Sequence, residues 1–269
     1  MSGMARRLRQ RLESGTVLVP GVYDALTARF AEIAGFDVVY LTGAGVSYTE
    51  LGMPDLGLVT FTEMAARLRA VSAAIRGAVI ADGDTGYGGV LNVYRTVQTY
   101  ESAGAAAIQL EDQVFPKRCG HLSGKQVLPL EEAVSKVRAA VAARQEMVII
   151  ARTDALATHG MGEAIRRARA YREAGADVIF VESPRTVDEL RHIRAHVEGP
   201  LMANLVEGGR TPLLSAHELS QLGYQLVVFP NTLTRVVARA ALEVYRELKS
   251  AGTSQGLLGR MLMFDELNE

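Results

Sequence analysis

Two aspartates separated by a single residue, Asp82 and Asp84, directly follow a short apolar run. Carboxylates this close together repel each other in a dry site unless a cation lies between them. Their hard oxygens suit Mg²⁺ or Mn²⁺, and Mg²⁺ usually takes few carboxylates and keeps several waters. The alternative is an Asp-rich turn that caps a helix. We predict a divalent-cation site at this pair.

The chain has one cysteine, and it lies in the polar segment Pro116-Lys117-Arg118-Cys119-Gly120-His121. A thiol beside cationic side chains has a lowered pKa and is well placed for proton transfer. The alternative is that this segment is only a basic surface loop. A cysteine flanked by Arg118, Gly120 and His121 does not suit a core position. One cysteine cannot form an internal disulfide, which is typical of a reducing compartment.

Further polar or small residues follow other apolar runs. The segment Thr42-Gly43-Ala44 offers backbone N–H groups that can bind a carboxylate, or it is an ordinary tight turn. Arg152 can hold a carboxylate through two parallel hydrogen bonds, or form a salt bridge at the rim. The remaining candidates of this kind are Tyr40, Asp55, Glu111, Glu182, Asn204, Arg210 and Thr232.

Eight short β-branched runs, each followed by a helical pattern, supply the elements that must position these residues. The predicted strands are 17–20, 38–42, 78–81, 107–110, 147–151, 178–181, 201–203 and 226–229. The predicted helices are 25–34, 61–75, 90–103, 129–143, 162–174, 187–196, 215–222 and 235–250. Eight such units in about 250 residues are typical of a (β/α)₈ barrel. A doubly wound open sheet is the runner-up, but no strand–GxGxxG–helix fingerprint supports it.

The sequence therefore predicts one α/β domain, a (β/α)₈ barrel of the TIM type over residues 1–269. The active site of such a barrel lies at the carboxyl ends of its strands, so the polar residues above are expected to meet at one mouth. His159, His192, His196 and His217 have no metal-ligand spacing, and we expect them at the surface.

Composition argues against several classes of partner. The 29 basic and 30 acidic residues nearly balance, which gives no electrostatic basis for binding nucleic acid or an anionic membrane. No apolar run reaches the roughly 20 residues that span a bilayer. The basic N-terminus leads into no apolar signal core. We expect a cytoplasmic protein.

Six motifs are distributed over nearly the whole chain. They are Pro20-Gly21-Val22-Tyr23-Asp24-Ala25, Asp82-Gly83-Asp84-Thr85-Gly86-Tyr87-Gly88, Gln109-Leu110-Glu111-Asp112-Gln113, Lys117-Arg118-Cys119-Gly120-His121, Ala151-Arg152-Thr153-Asp154 and Glu207-Gly208-Gly209-Arg210-Thr211-Pro212. Together they resemble the isocitrate lyase/phosphoenolpyruvate mutase superfamily. The cysteine motif resembles the branch of carbon–carbon lyases that act on 2-methylisocitrate or 2,3-dimethylmalate. Gly83 stands where the family usually has alanine, which we expect to loosen the turn.

The resemblance implies Mg²⁺, or Mn²⁺, at Asp82 and Asp84, with Glu111 and Asp55 holding metal-bound water. It implies that Thr42, Gly43, Ala44 and Arg152 bind the carboxylate of a 2-oxo acid. Cys119 is the implied general acid, and Tyr40 is a candidate base. The site implied by the resemblance also includes Lys117, Gly120, His121, Glu182, Asn204, Arg210 and Thr232.

The activity that the resemblance implies is retro-aldol cleavage of a small 2-hydroxy di- or tricarboxylate. The products are a 2-oxo acid, pyruvate or glyoxylate, and a second carboxylate. An oxaloacetate-type hydrolase and a carboxyphosphonoenolpyruvate or phosphoenolpyruvate mutase are alternatives. A non-catalytic metabolite-binding barrel is a third alternative, which the intact aspartates and cysteine disfavour. The family also implies that residues 235–269 exchange the last helix between subunits, giving a homotetramer of helix-swapped dimers.

Overall fold

A computed structural model describes residues 3–118, 120 and 124–268. Its centre is a closed barrel of eight parallel strands that follow one another in chain order, which confirms the predicted fold class. The strands are β1 Val17–Val22, β2 Val38–Leu41, β3 Ala78–Asp82, β4 Ala105–Glu111, β5 Val148–Thr153, β6 Val178–Val181, β7 Leu201–Asn204 and β8 Leu226–Phe229.

Helices alternate with the strands. The α-helices are α1 Met4–Ser14, α2 Ala25–Ile33, α3 Gly43–Val46, α4 Phe61–Ala74, α5 Val90–Ser102, α6 Leu130–Ala143, α7 Ala155–His159, α8 Met161–Glu173, α9 Val187–His196, α10 Ala216–Gln221, α11 Thr232–Ala251 and α12 Phe264–Asn268. A π-helix, Ser47–Leu51, follows α3, and a 3₁₀ helix, Gln255–Arg260, follows α11.

The barrel interior is packed with apolar side chains from all eight strands. Val19, Ile80, Ile150 and Phe180 belong to this inner cluster and are almost fully buried. The outer faces of the strands are also apolar and pack against the helices in two further clusters. Burial on both faces explains why the strands have continuous apolar runs rather than alternating ones.

Helix α1 was not predicted from the sequence, and it covers the N-terminal end of the barrel. Leu8 and Leu12, one helical turn apart, are buried in the inner cluster with Val17 and Val38, where β1 and β2 begin. Five of its eleven residues are Arg or Gln, so its apolar face is only one side chain wide. That narrow face hid the helix in the sequence.

Neighbouring strands place their last residues side by side at the opposite end. Asp82 pairs in register with Gln109, and Glu111 pairs with Arg152. Because parallel strands end at the same edge of the barrel, these side chains meet at one mouth, as the barrel prediction requires.

The chain forms two compact units, Met1–Thr232 and Leu233–Glu269. The first contains the complete barrel. In the second, Arg239 and Arg260 both form ion pairs with Glu243. The second unit also exposes many large apolar side chains. They include Val236, Leu242, Tyr245, Leu262, Met263, Phe264 and Leu267.

No helix in the described part of the chain is long and apolar enough to cross a membrane. The four histidines that were expected at the surface, at positions 159, 192, 196 and 217, are all exposed.

Candidate active site

A cavity with about 450 Å³ of empty volume, partly open to solvent, lies at the carboxyl ends of the strands. It is lined mostly by polar side chains from consecutive strand ends and their loops. The lining residues are Tyr40, Thr42, Ala44, Asp55, Asp82, Gln109, Glu111, Lys117, Arg118, Gly120, Arg152, Glu182, Asn204, Val206, Pro230 and Asn231. Eleven of the residues selected from the sequence are therefore brought together here.

Four other selected residues that the structure describes, Gly43, Asp84, Arg210 and Thr232, are not among those that line the cavity. The Gly43 N–H donates to Asp82 Oδ2 at 3.2 Å, so in this structure it serves the acidic pair rather than the cavity. Thr232 is exposed and its hydroxyl bonds to Glu207, while Arg210 is half-buried outside the lining. Cys119 and His121 lie outside the described residues.

The acidic pair is held by its own backbone. Asp84 has a positive φ of 47°, and its N–H donates to Asp82 Oδ1 at 3.1 Å. The tight turn thus folds the second aspartate back beside the first. Burial, opposed by Lys117, raises the pKa of Asp84 to about 6. Burial also raises the pKa of Glu111 well above its usual range.

Lys117 supplies a positive charge to these carboxylates. Its ammonium forms an ion pair with Asp55 and another with Asp84 Oδ1 at 2.7 Å, and the residue is only 4% exposed. Burial alone lowers the pKa of Lys117, but the carboxylates of Asp84 and Asp55 outweigh it, so the pKa is raised and the lysine stays charged. In this arrangement an ammonium group is the cation of the acidic cluster.

The donor set fits a hard divalent cation, although the described residues contain no group of three His, Cys, Asp or Glu side chains already spaced as metal ligands. Asp82 and Glu111 are buried carboxylates at the cavity wall. Glu111 Oε1 has no hydrogen-bond partner among the residues that the structure describes. Buried anionic oxygens without partners are costly, and a cation with its bound water would satisfy them.

Arg152 lines the cavity, but its guanidinium makes its two parallel hydrogen bonds to another residue of the protein, Asp154. Its Nε and Nη2 donate to Asp154 at 2.9 and 3.0 Å. Its Nη1 lies 3.3 Å from Glu111 Oε2 and 3.4 Å from Glu182 Oε2. The bidentate clamp expected for a substrate carboxylate is therefore made to Asp154, and Nη1 is the atom that faces the cavity's carboxylates.

Tyr40 is buried, and its hydroxyl donates to Gln109 Oε1 at 3.1 Å. Burial, with the charge of Asp82, raises the pKa of Tyr40 well above its usual value. The phenol therefore remains protonated at neutral pH, and in this state it acts as a hydrogen-bond donor rather than as a base.

Several buried polar residues that support the site were not selected from the sequence. Asp112 accepts hydrogen bonds from Thr153, Tyr171, Arg167 and the backbone of Asp154. It therefore fixes the chain that carries Arg152. Gln109, Asp154, Lys125 and Asn231 were missed likewise. An ionisable side chain next to an apolar strand could have identified one of them. Asp112 fits this pattern, because it directly follows Glu111 at the end of β4.

Gly83 lies at a close contact behind the acidic pair, and the expected loosening of its turn stays a prediction. Its N–H donates to the carbonyl of Gln109 at 2.9 Å. A Cβ at this position would lie 2.8 Å from the Ile108 side chain and 2.9 Å from the carbonyl oxygen of Gln109. The glycine thus allows close packing of β3 against β4 below the acidic pair.

Comparisons with known proteins place this geometry among characterised enzymes. The family model described as phosphoenolpyruvate phosphomutase matches residues 6–249. A 2,3-dimethylmalate lyase from Eubacterium barkeri is 47% identical, covering 98% of this chain and 93% of the relative. A 2-methylisocitrate lyase from Aeropyrum pernix is 44% identical, covering 94% and 82%. A solved structure of oxaloacetate acetylhydrolase with 3,3-difluorooxalacetate superposes with a TM-score of 0.91 at 38% identity, covering 94% and 88%.

Proposed function

The chain belongs to the phosphoenolpyruvate phosphomutase family, part of the PEP mutase/isocitrate lyase superfamily, and from this premise we propose that it is a Mg²⁺-dependent carbon–carbon lyase. Its substrate is a small 2-hydroxy di- or tricarboxylate, which it cleaves by retro-aldol chemistry. The products are a 2-oxo acid, pyruvate or glyoxylate, and a second carboxylate.

The enzyme class predicted from the sequence, a carbon–carbon lyase, is confirmed by relatives that are 44 and 47% identical over almost the whole chain. The observation that carries the finer proposal is the buried acidic cluster at the barrel mouth, beside Arg152 and Lys117. A retro-aldol cleavage places negative charge first on the substrate oxygen, when its hydroxyl is deprotonated, and then on the leaving carbon, when the carbonyl forms and the carbon–carbon bond breaks. A site that combines a cation-binding cluster with buried basic side chains suits both charges.

In the proposal, Asp82 and Asp84 hold Mg²⁺, with Mn²⁺ as a substitute, and Glu111 and Asp55 hold its bound water. When bound, the cation acts as a Lewis acid that stabilises negative charge on a substrate oxygen. Lys117 now pairs with Asp55 and Asp84, and its buried, permanently charged ammonium can transfer its hydrogen bonds to a substrate anion.

Arg152, with Thr42, Gly43 and Ala44, binds the carboxylate of the 2-oxo acid in this proposal. Asn204 Nδ2 lies 3.4 Å from Glu182 Oε2, and both residues line the cavity. They bind the second fragment, together with His121, Arg210 and Thr232. Val206 and Pro230 add an apolar wall that suits methyl or methylene groups of the substrate.

Cys119 is the proposed general acid. When the carbon–carbon bond breaks, its electron pair goes to the leaving carbon, which takes the thiol proton, while the substrate hydroxyl loses its proton to a base. Arg118 and Gly120, the chain neighbours of Cys119, both line the cavity, which supports this assignment. Tyr40 remains a candidate for the base only if the bound cation lowers the pKa of its phenol.

An oxaloacetate-type hydrolase is the second candidate, favoured by the structural similarity to oxaloacetate acetylhydrolase. A panel of 2-hydroxy and 2-oxo di- and tricarboxylates, assayed with Mg²⁺, separates the two. The lyase proposal expects pyruvate or glyoxylate with a second carboxylate. Oxalate with acetate from oxaloacetate would support the hydrolase, and rearranged phosphonates from phosphoenolpyruvate would support a mutase. Either result without 2-oxo acid release would contradict the lyase.

We also propose that the protein assembles as a homotetramer of helix-swapped dimers. The many exposed apolar side chains of the unit Leu233–Glu269 support this assembly, since contiguous apolar surface is typically covered by a partner. A cytoplasmic location is part of the same proposal.

A further inference from the structure

The backbone on the N-terminal side of Cys119 is held by a buried amide. Gln113, 1% exposed, lies two residues beyond the end of β4. Its Nε2 donates to the Arg118 carbonyl at 2.8 Å, and its Oε1 accepts from the Arg118 N–H at 3.0 Å. The Gln113 side-chain amide thus binds both the N–H and the carbonyl of Arg118.

The backbone on the C-terminal side is held by a buried ammonium. Lys125, 8% exposed, donates to the Gly120 carbonyl at 2.6 Å and to Asp154 Oδ1 at 2.5 Å. The Ser183 hydroxyl donates to the same carbonyl at 3.3 Å. Asp154 is the residue that also holds Arg152 through two hydrogen bonds, so one carboxylate orients both cations.

These bonds press Gly120 directly against the cavity wall. A Cβ on Gly120 would collide with Arg152 Nη2 and lie 2.7 Å from Glu182 Cδ. Gln113 and Lys125 lie in the same loop between β4 and α6, whereas Ser183 follows β6, and the bridge between Gln113 and Val127 closes this loop at its base. All these contacts are made to backbone atoms of Arg118 and Gly120, the two described neighbours of residue 119 in the chain.

From this arrangement we propose that Gln113 and Lys125 are positioning residues of the lyase: together they fix the backbone on either side of Cys119 so that its thiol reaches the reacting carbon. This inference rests on the proposed function. Neither residue is among those that line the cavity. A displacement of about 1 Å at a reacting group can cost about 100-fold in rate. Loss of the hydrogen bonds made by Gln113 or Lys125 should therefore lower kcat measurably.

The first arm of the test follows the thiol itself and needs no substrate. Because the chain has a single cysteine, alkylation by iodoacetamide measured on the intact, metal-free protein reports on Cys119 alone. Gln113→Leu and Lys125→Met are each expected to change the alkylation rate at least fivefold. Gln98→Leu and Lys249→Met, which replace exposed side chains of the same types, are expected to leave it within twofold.

The second arm follows catalysis with the substrate that the panel identifies. Gln113→Leu is expected to lower kcat about 100-fold and to leave KM within threefold, since Gln113 touches only the backbone beside Cys119. Lys125→Met is expected to lower kcat and also to raise KM, because Asp154 then holds Arg152 without its second cation.

The proposal is overturned if both variants fold with wild-type melting temperatures and alkylation rates within twofold of wild type. A merely structural role would instead lower the melting temperature without altering the thiol. If Gln113→Leu or Lys125→Met fails to fold, Gln113→Glu and Ser183→Ala replace them, each removing one donor, and an unchanged thiol in both overturns the proposal. Altered thiol rates in a protein without lyase activity would contradict the proposed function alone.

Discussion

At the scale of single residues, the site is a set of buried charges in which carboxylates outnumber cations. Lys117 and Arg152 carry the positive charge, and the carboxylates around them are those of Asp55, Asp82, Asp84, Glu111, Asp154 and Glu182. Burial raises the pKa of Asp84 and of Glu111, which means that the existing cations do not fully offset the cost of burying these carboxylates. One more cation would make the cluster stable at neutral pH.

Asp84→Asn is expected to stabilise the metal-free protein at pH 8. The pKa of Asp84 is about 6 in the fold and 3.8 for an unperturbed aspartate. A raised pKa means that ionisation opposes folding, so the penalty is absent below pH 4, grows as the pH rises towards 6, and is complete above it. At about 1.4 kcal/mol for each pH unit of difference, the penalty is about 3 kcal/mol.

Thermal unfolding of both proteins in excess chelator, at pH 4.5 and pH 8, measures this effect. The variant should melt higher than wild type at pH 8, and at pH 4.5 the difference in stability should shrink to about a third of its value at pH 8. Addition of Mg²⁺ should raise the melting temperature of wild type and not of the variant. A variant that melts lower than wild type at pH 8 in chelator would contradict the charge argument.

Gly120→Ala is expected to lose about 100-fold in turnover and several degrees of melting temperature, because overpacking a buried site costs about 1–3 kcal/mol. The added methyl group meets Arg152 Nη2 and Glu182 Cδ, and Arg152 is held in place by Asp154. Gly162→Ala, in helix α8, is the control, since its Cβ would meet no atom within 4 Å and its backbone has no positive φ. Full turnover in Gly120→Ala would show that this close approach has no part in catalysis.

At the scale of elements, the strands could be predicted from the sequence and the polar network behind them could not. All eight predicted runs coincide with strands, because burial on both faces leaves continuous apolar segments. The largest boundary differences are two residues, at the start of β4 and at the ends of β1 and β5. Because the active site of such a barrel lies at the carboxyl ends of its strands, eleven of the cavity residues could also be predicted. The pairing of Arg152 with Asp154, and of Lys125 with Gly120, depends on loop conformations that no periodicity encodes.

Leu8→Ala tests the unpredicted helix α1. Leu8 is 1% exposed in the inner cluster at the N-terminal end of the barrel. Its truncation is expected to cost about 3 kcal/mol of stability and several degrees of melting temperature, because it opens a cavity far from the mouth. Leu26→Ala, at a site that is 54% exposed, is the control. A loss of kcat at a temperature where Leu8→Ala is fully folded would contradict a purely structural role.

At the scale of the whole molecule, eight strand ends bring distant segments to one mouth, while the unit Leu233–Glu269 leaves apolar side chains exposed. Light scattering at micromolar concentration is expected to give the mass of a tetramer. Charges introduced at Val236 and Tyr245, both at least 60% exposed, should reduce that mass, and Ser250→Glu should leave it unchanged. A monomeric wild-type mass would contradict the proposed assembly.

The central claim is that this chain breaks a carbon–carbon bond and that the Cys119 thiol protonates the leaving carbon. The most direct test is the turnover of Cys119→Ser, with Mg²⁺ and the substrate that releases pyruvate or glyoxylate. Serine nearly matches cysteine in size but is far less acidic, so the variant should fold and bind Mg²⁺ like wild type. A positioned general acid contributes about 100- to 10,000-fold, and we predict a loss of turnover in that range. A loss below about tenfold would contradict the mechanism and, with it, the lyase proposal.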